Sequence, residues 1–452
     1  MLENYSDKIK KALKGIKIGD RISISKDDKT YEGLLMPKTE LGDENCIVLK
    51  LDNGYNIGIR FEGKMEIRKS KKTEPREVKE EIDFENGKEK IEKIKFDNKK
   101  PKISLVMTGG TIISRVDYRT GGVSALERPE ELLVNIPELK DFVYIKDIKT
   151  PFRKMSEDFD YKDWQRLAQL VAEELNENQG VIITHGTDTM HFTSAVLSFM
   201  LKNLSKPVVL TGSQRSSDRG SSDAFMNMVC SAHAALSDMA EVGICMHATT
   251  DDHYCYFIRG TKARKLHTTR RDAFRSINEM PLAKIYPNGK IDTLNKNYKK
   301  RSDEKVIADV KFEPKIALLK SYPGSEPEIL EFLAKKGYKG FVIEGTGMGH
   351  VPTLAEKSWI PVIKKLIKDG IPVVIASQTI YGRINTTVYS NLRTLYHEAK
   401  AIPAEDMLSE VAYVKLGWLL AHYKDIEDIR KMMLTNMAGE ITKRSEIETF
   451  LV

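Results

Sequence analysis

Cysteine is scarce in this chain of 452 residues. Its four thiols, Cys46, Cys230, Cys245 and Cys255, include no Cys-x-x-Cys pair. That excludes a disulfide-built scaffold and a redox dithiol, and it fits a reducing compartment. No apolar run approaches the ~20 residues that a membrane span requires. The N-terminus, Met1-Leu2-Glu3-Asn4-Tyr5-Ser6, lacks the basic-then-apolar pattern of a secretory signal, so a cytoplasmic location is expected. A dominant charge is missing too: 72 basic against 65 acidic residues leave +7, which permits nucleic-acid contact without demanding it. There is no Walker loop. Gly345-Thr346-Gly347-Met348-Gly349 lacks the third-glycine spacing and the acidic partner of a dinucleotide fingerprint. Cys245, His247, His253 and Cys255 offer metal-ligand chemistry, but their alternation reads better as two strands around a turn at Thr250-Asp251-Asp252. No metal is expected. With 41% hydrophobic and 30% charged residues, a globular protein of roughly two to four domains remains.

In chain order, residues 4–16 predict a short helix with Ile9, Leu13 and Ile16 on one face. Residues 17–68 hold about five short alternating runs, with turn candidates at Asp27-Asp28 and Asn53-Gly54. They predict a small closed all-β barrel, SH3- or Sm-like, serving as a docking piece; residues 1–68 are one unit. Residues 69–100 are dense in both charges and read as a solvated tether. Strands alternating with helices then predict α/β architecture with parallel sheets, in a larger domain at 101–295 and a smaller one at 313–452. Residues 296–312 read as an exposed linker between them. Helices are expected at Asp163 to Glu174, 190–203, Glu328 to Lys336 and Leu354 to Asp369. A further amphipathic helix is expected at 404–421, burying Leu408, Val411, Ala412, Leu416 and Leu419 on one face.

Two stretches carry the chemistry. Thr108-Gly109-Gly110-Thr111 follows the apolar run Ile103 to Met107, and His185-Gly186-Thr187-Asp188-Thr189 follows Gly180 to Thr184. Each sits where a buried strand ends, the edge at which open α/β sheets bind ligands. Gly109 and Gly110 permit a sharp turn and close approach to the backbone. If the strands are neighbours, the hydroxyls of Thr111 and Thr187 and the Asp188 carboxylate share one edge. A hydroxyl is a weak nucleophile and needs a base. Lys265 can be that base where burial or a nearby cation such as Arg264 lowers its pKa, with Asp188 orienting it. The arrangement is a triad without histidine. The basic run Arg264, Lys265, Arg270, Arg271 and Arg275 reads mainly as site scaffold. Ser156, before the run Phe159 to Leu175, has the chemistry of a helix N-cap.

These motifs, with Leu210 to Arg215 and Ser222 to Asn227 between them and Lys265, resemble the bacterial-type L-asparaginase/glutaminase family from about residue 100 to the C-terminus. The resemblance implies that family's two-domain fold and amide hydrolysis by threonine, with Thr111, Thr187, Asp188 and Lys265 catalytic. It implies a substrate-binding set of Ser156, Glu157, Gly186 and a lid tyrosine, for which Tyr118 is the candidate. It also places the Gly345–Gly349 loop near the active site of a neighbouring subunit. The extra N-terminal module, and the wording of Asp117 to Gly121, Ser377 to Asn385 and Pro403 to Leu408, look most like the D-subunit branch of archaeal tRNA-dependent amidotransferases. That branch implies a glutaminase supplying ammonia to convert Glu-tRNA(Gln) to Gln-tRNA(Gln). Its ATP and magnesium would belong to a partner, the E subunit, which would also make most tRNA contacts, with none held by this chain. The expected assembly is a heterotetramer of two chains of each kind. The rival readings are a free-standing cytosolic L-asparaginase and a non-catalytic RNA-binding scaffold.

Overall fold

A computed structural model describes residues 2, 4–27, 29–36, 38, 43–51, 56–62, 65–70, 96–116, 123–125, 136–146, 148–216 and 222–451. The first helix is Asp7–Ala12, and Ile9 and Leu13 are buried, as the spacing requires. Five strands follow: Arg21–Lys26, Lys29–Leu35, Cys46–Lys50, Asn56–Arg60 and Glu66–Lys69. Lys26 pairs with Lys29, leaving two residues for the turn, and Asp27 takes the positive φ of 53° that such a turn needs. Tyr5, Ile9 and Leu13 pack against Ile22, Ile24, Leu35, Ile47, Leu49 and Ile59. The last two strands lie at opposite edges of this antiparallel sheet, so among the described residues its ladder is open, with a helix over the apolar face. Asn53-Gly54 and most of the charged tether lie outside the described residues.

The larger domain is built on an eight-stranded sheet. Its parallel part orders Ile148–Lys149, Ser104–Met107, Val181–Thr184, Val208–Thr211 and Val242–His247; three antiparallel strands, Cys255–Arg259, Ala283–Ile285 and Ile291–Thr293, complete it. The central strands are apolar throughout because both faces are covered. Val106, Val181, Ile183, Val208 and Leu210 pack with the helices Tyr161–Glu177 and Met190–Met200; Leu105, Met107, Ile182 and Val209 pack with the helix Ala224–Leu236. Thr184 pairs with both Met107 and Thr211. The loops after these three strands therefore leave one edge side by side.

The smaller domain has a parallel sheet, Ile316–Lys320, Gly340–Gly345, Val373–Ser377 and Ile402–Pro403, with the helices Glu328–Lys335 and Trp359–Lys368 on one face. Trp359–Lys368 starts later than expected. Ser358 caps it by accepting from the Ile360 N–H, while Leu354 is 94% exposed. The expected 404–421 helix is Ser409–His422, and it is buried on nearly every side because it lies between this sheet and the Met190–Met200 helix. Its apolar residues join the larger domain's core, so it is not amphipathic. The expected exposed linker is a strap. Arg301 donates to the carbonyls of Gln179, Ser237 and Ala235, and Ile307–Ala308 pairs with Leu201–Lys202. Among the described residues, no helix is long and apolar enough to cross a membrane.

Candidate active site

Glycines set how closely the sheet-edge loops meet. Gly109 and Gly110 have φ of 134° and 90°, conformations that side chains other than glycine's rarely adopt. A Cβ on Gly110 would sit 2.5 Å from the Gly186 nitrogen, and one on Gly186 would sit 2.7 Å from the Ser156 Oγ. One on Gly212 would lie 2.6 Å from the His185 carbonyl oxygen. Loops from four parts of the chain are thus in backbone contact, and Thr111 begins a 3-10 turn beside them, half-buried.

Lys265 ends the strand Ala263–Lys265, which pairs with Phe274–Ser276. Its Nζ donates to Thr187 Oγ1 at 2.8 Å and to Asp188 Oδ1 at 2.7 Å. The lysine side chain is 10% exposed and the aspartate 68%. The amine is therefore largely withdrawn from water beside a hydroxyl, while its counter-charge stays hydrated. This geometry can pass a proton between a threonine, a lysine and a bound amide.

Ser156 is buried and opens a 3-10 turn, Ser156–Asp158; its carbonyl accepts from Thr189 Oγ1 at 2.7 Å. The N-cap expected there belongs to Asp160, which forms a capping box with Asp163. Asp160 wins because the helix starts at Tyr161, two residues into the run Phe159 to Leu175 and two before the expected Asp163, which leaves Ser156 too far upstream to cap it. Glu157 is exposed next to Ser156. The structure thus brings together Thr187, Asp188, Lys265, Gly186 and Ser156, with Thr111 directly after Gly110. Tyr118 lies outside the described residues.

Two supports escaped the sequence reading. His185 is wholly buried, and burial pushes its imidazole pKa down to about 4, so the ring is neutral. Nδ1 faces the Gly186 carbonyl at 2.7 Å and must donate to it; Nε2 then accepts from Thr193 Oγ1 at 2.8 Å, which accepts from the Trp164 indole. This chain of bonds holds Gly186 in place. Buried Asp223 accepts from the N–H groups of Gln214 and Arg215 and from Asn227 Nδ2, while Asn227 also donates to the Gly212 carbonyl. Burial raises the Asp223 pKa. His185 has no signal beyond its place in the motif; Asp223 and Asn227 lie in a stretch already singled out.

The basic run is scaffold, as expected. Arg264 meets Glu410 and Arg271 meets Asp252. Arg270 and Arg275 both bond to Asp272; burial alone would raise that carboxyl's pKa, but the two guanidinium groups outweigh it and hold it at about 2. The two expected strands form as Val242–His247 and Cys255–Arg259, the second starting two residues after His253. The His247 ring is held between Asn227 and Asp252, and among the described residues no group of three or more ligand side chains could hold a metal. A cleft of about 450 Å³ whose lining does not include Lys265 opens beside the Gly345–Gly349 loop, lined by Met348, His350, Tyr381, Arg383 and Tyr389 among others.

Three family models match in chain order: a GatD N-terminal domain over residues 16–69, an N-terminal asparaginase domain over 102–299, and a glutaminase/asparaginase C-terminal domain over 315–433. The D subunit of the glutamyl-tRNA(Gln) amidotransferase from Pyrococcus abyssi is 50% identical over 446 residues, covering 97% of this chain and 98% of its own length. The chain belongs to the glutamyl-tRNA(Gln) amidotransferase D-subunit family. The D subunit from Methanothermobacter thermautotrophicus is 44% identical, covering 99% of each chain. Among solved structures, the thermostable L-asparaginase from Thermococcus kodakarensis matches at TM-score 0.68 and 31% identity, covering 75% of this chain and 99% of its own. L-asparaginase I from Vibrio cholerae matches at 0.65 and 27%, covering 76% and 99%. The asparaginase-like fold and the family's D-subunit branch are as the motifs imply.

Proposed function

We propose that this chain is the glutamine-hydrolysing subunit of a tRNA-dependent amidotransferase. The observation that carries the reading is the Lys265 amine bonded to both Thr187 and Asp188, at the sheet edge where Gly110 and Gly186 touch. The near full-length relatives named for that complex support the choice of branch.

In this reading Ser156 and Glu157 hold the α-carboxylate and α-ammonium of glutamine, with Gly186 leaving room for them, and Tyr118 closes beside the nucleophile. The Thr111 hydroxyl attacks the side-chain amide carbon as its proton passes to the Thr187–Lys265–Asp188 relay. Backbone N–H groups of the glycine-bearing turns stabilise the oxyanion. The Thr187–Lys265–Asp188 relay gives a proton to the departing nitrogen. The C–N bond breaks, ammonia leaves, and an acyl-threonine ester remains. Water, deprotonated by the same relay, cleaves the ester to glutamate, and the relay returns that proton to the Thr111 oxygen. The partner, the E subunit, uses ATP and magnesium to activate the glutamate carried on tRNA(Gln), and the ammonia displaces that activated group. This chain itself holds no cofactor in the scheme. The cytoplasm is the compartment the reaction requires, and a heterotetramer of two D and two E chains is the assembly. Within it, the Gly345–Gly349 cleft faces the active site of a second copy of this chain.

A free asparaginase is the second reading, favoured by the solved asparaginases. Preference for glutamine over asparagine, and its response to the partner, separates the two. Thr111→Val and Lys265→Met abolish glutamine hydrolysis if the roles are right; unchanged rates overturn the assignment.

A further inference from the structure

The Ser409–His422 helix of the smaller domain delivers one carboxylate between the strand that carries Lys265 and the helix that follows Thr187 and Asp188. Glu410 is 1% exposed. Its Oε1 lies 2.5 Å from Arg264 Nη1 and 3.6 Å from His191 Nε2, while Oε2 accepts from Ser409 Oγ at 3.1 Å. Arg264 immediately precedes Lys265 on the strand Ala263–Lys265. Neighbouring side chains on a strand point to opposite faces. With Arg264 turned to Glu410, Lys265 is turned to Thr187 and Asp188. His191 is the second residue of the Met190–Met200 helix, which begins one residue after the loop Thr187-Asp188-Thr189. Glu410 therefore touches, from behind, both the strand that carries the lysine and the helix that follows the threonine and aspartate.

A carboxylate in this place needs a reason. A buried ion pair seldom adds net stability over apolar residues of the same volume, and its better-attested use is to fix register. The neighbouring contacts fit that use. Lys262, in the turn that leads into this strand, donates to Asp406 at 2.8 Å, and both are buried. The smaller domain thus holds the strand at Arg264 and at the turn before it, leaving Lys265 to face Thr187 and Asp188.

We propose that Glu410 is a positioning residue: through Arg264 on one side and His191 on the other, it sets the separation of Lys265 from Thr187 and Asp188. The inference rests on the amidohydrolase reading above and adds a role for the smaller domain within a single chain. Misplacement near 1 Å costs a catalytic group about 100-fold in rate.

The test measures glutamine hydrolysis by the full chain with its partner, for Glu410→Gln, Arg264→Gln and the double variant, with melting temperatures alongside. Each single variant is expected to lower kcat about 10- to 100-fold with KM within about twofold, because the substrate-holding loop is untouched. The double variant is expected to be no worse than the poorer single, since both remove one contact. A kcat within twofold of wild type in Glu410→Gln, or a double variant that loses the product of the two single effects, overturns the proposal. Should Glu410→Gln fail to fold, Arg264→Gln decides by the same kcat criterion, because that side chain is partly exposed and can hydrate. If the wild-type complex hydrolyses no amide, the functional reading fails, and a crystal structure of Arg264→Gln decides the positioning. Lys265 moved out of hydrogen-bond reach of Thr187 supports it, and an unmoved contact overturns it.

Discussion

Replacing Gly110 by alanine perturbs the site at its tightest point. The new Cβ would lie 2.5 Å from the Gly186 nitrogen, 2.7 Å from the Gly186 Cα and 2.8 Å from the His185 carbonyl carbon. All three are backbone atoms, so no side chain can swing aside. Ordinary contact begins at 3.4 Å, so one loop must retreat by about 0.9 Å. Two costs combine in stability. Holding alanine at φ 90° costs roughly 1–2 kcal/mol, and forcing the loops apart adds about 1–3 kcal/mol. The catalytic cost is separate: Thr111 rides on the displaced loop, and a shift near 1 Å is worth about 100-fold in rate. Thermal unfolding and glutamine hydrolysis are measured together. Gly324→Ala is the control, because Gly324 has φ 83° with nothing within 4 Å of an added Cβ. It should lose only the backbone term and keep full activity. A Gly110→Ala enzyme with wild-type kcat/KM would refute the claim that the Gly110–Gly186 contact sets the site.

Lys265→Met removes both contacts that join the relay; kcat should fall on the order of a thousandfold, with little change in melting temperature because Asp188 is mostly hydrated already. His185 and His191 are held neutral by burial, each with its pKa lowered from 6.5 to about 4. The unfolded chain therefore binds more protons between those values, so the stability they contribute is full above about pH 6.5 and lost as pH falls toward 4. The loss is on the order of 3 kcal/mol per histidine. Denaturant unfolding from pH 4.5 to 7 measures the slope, and His185→Asn should flatten it; an unchanged slope contradicts the assignment. Lys415→Met strands Glu440, to which Lys415 donates at 2.6 Å with both side chains fully buried. It should cost about 3–5 kcal/mol in urea unfolding, and Glu440→Gln should recover part of that.

Strands and site were the legible part of the chain. Ser104–Met107 and Val181–Thr184 are short apolar runs ending in glycine-bearing polar motifs, so both the strand and the edge it feeds show in sequence. Helix starts were less legible because competing caps stand close together. Ser156 and Asp160 are both good N-caps, and only the second has a carboxylate three residues on to close the box. At the Trp359–Lys368 helix, Ser358 followed by Pro361 in the first turn was the available signal. The interior of the Ser409–His422 helix was not legible. Glu410 and Lys415 look like surface residues until the fold supplies Arg264 and Glu440, and periodicity cannot show a helix enclosed between two layers. His185 illustrates the same limit: its partners Thr193 and Trp164 come together only when two helices pack on one sheet face.

The central claim is that the Thr187–Lys265–Asp188 site hydrolyses glutamine for a partner. The direct measurement is the rate of glutamine hydrolysis by the purified chain, alone and then with its partner and glutamyl-tRNA(Gln), with asparagine as the parallel substrate. Hydrolysis of glutamine should rise sharply on assembly and fall on the order of a thousandfold in Lys265→Met. Vigorous hydrolysis of asparagine by the chain alone, indifferent to partner and tRNA, would contradict the claim and identify a free asparaginase with an added N-terminal module.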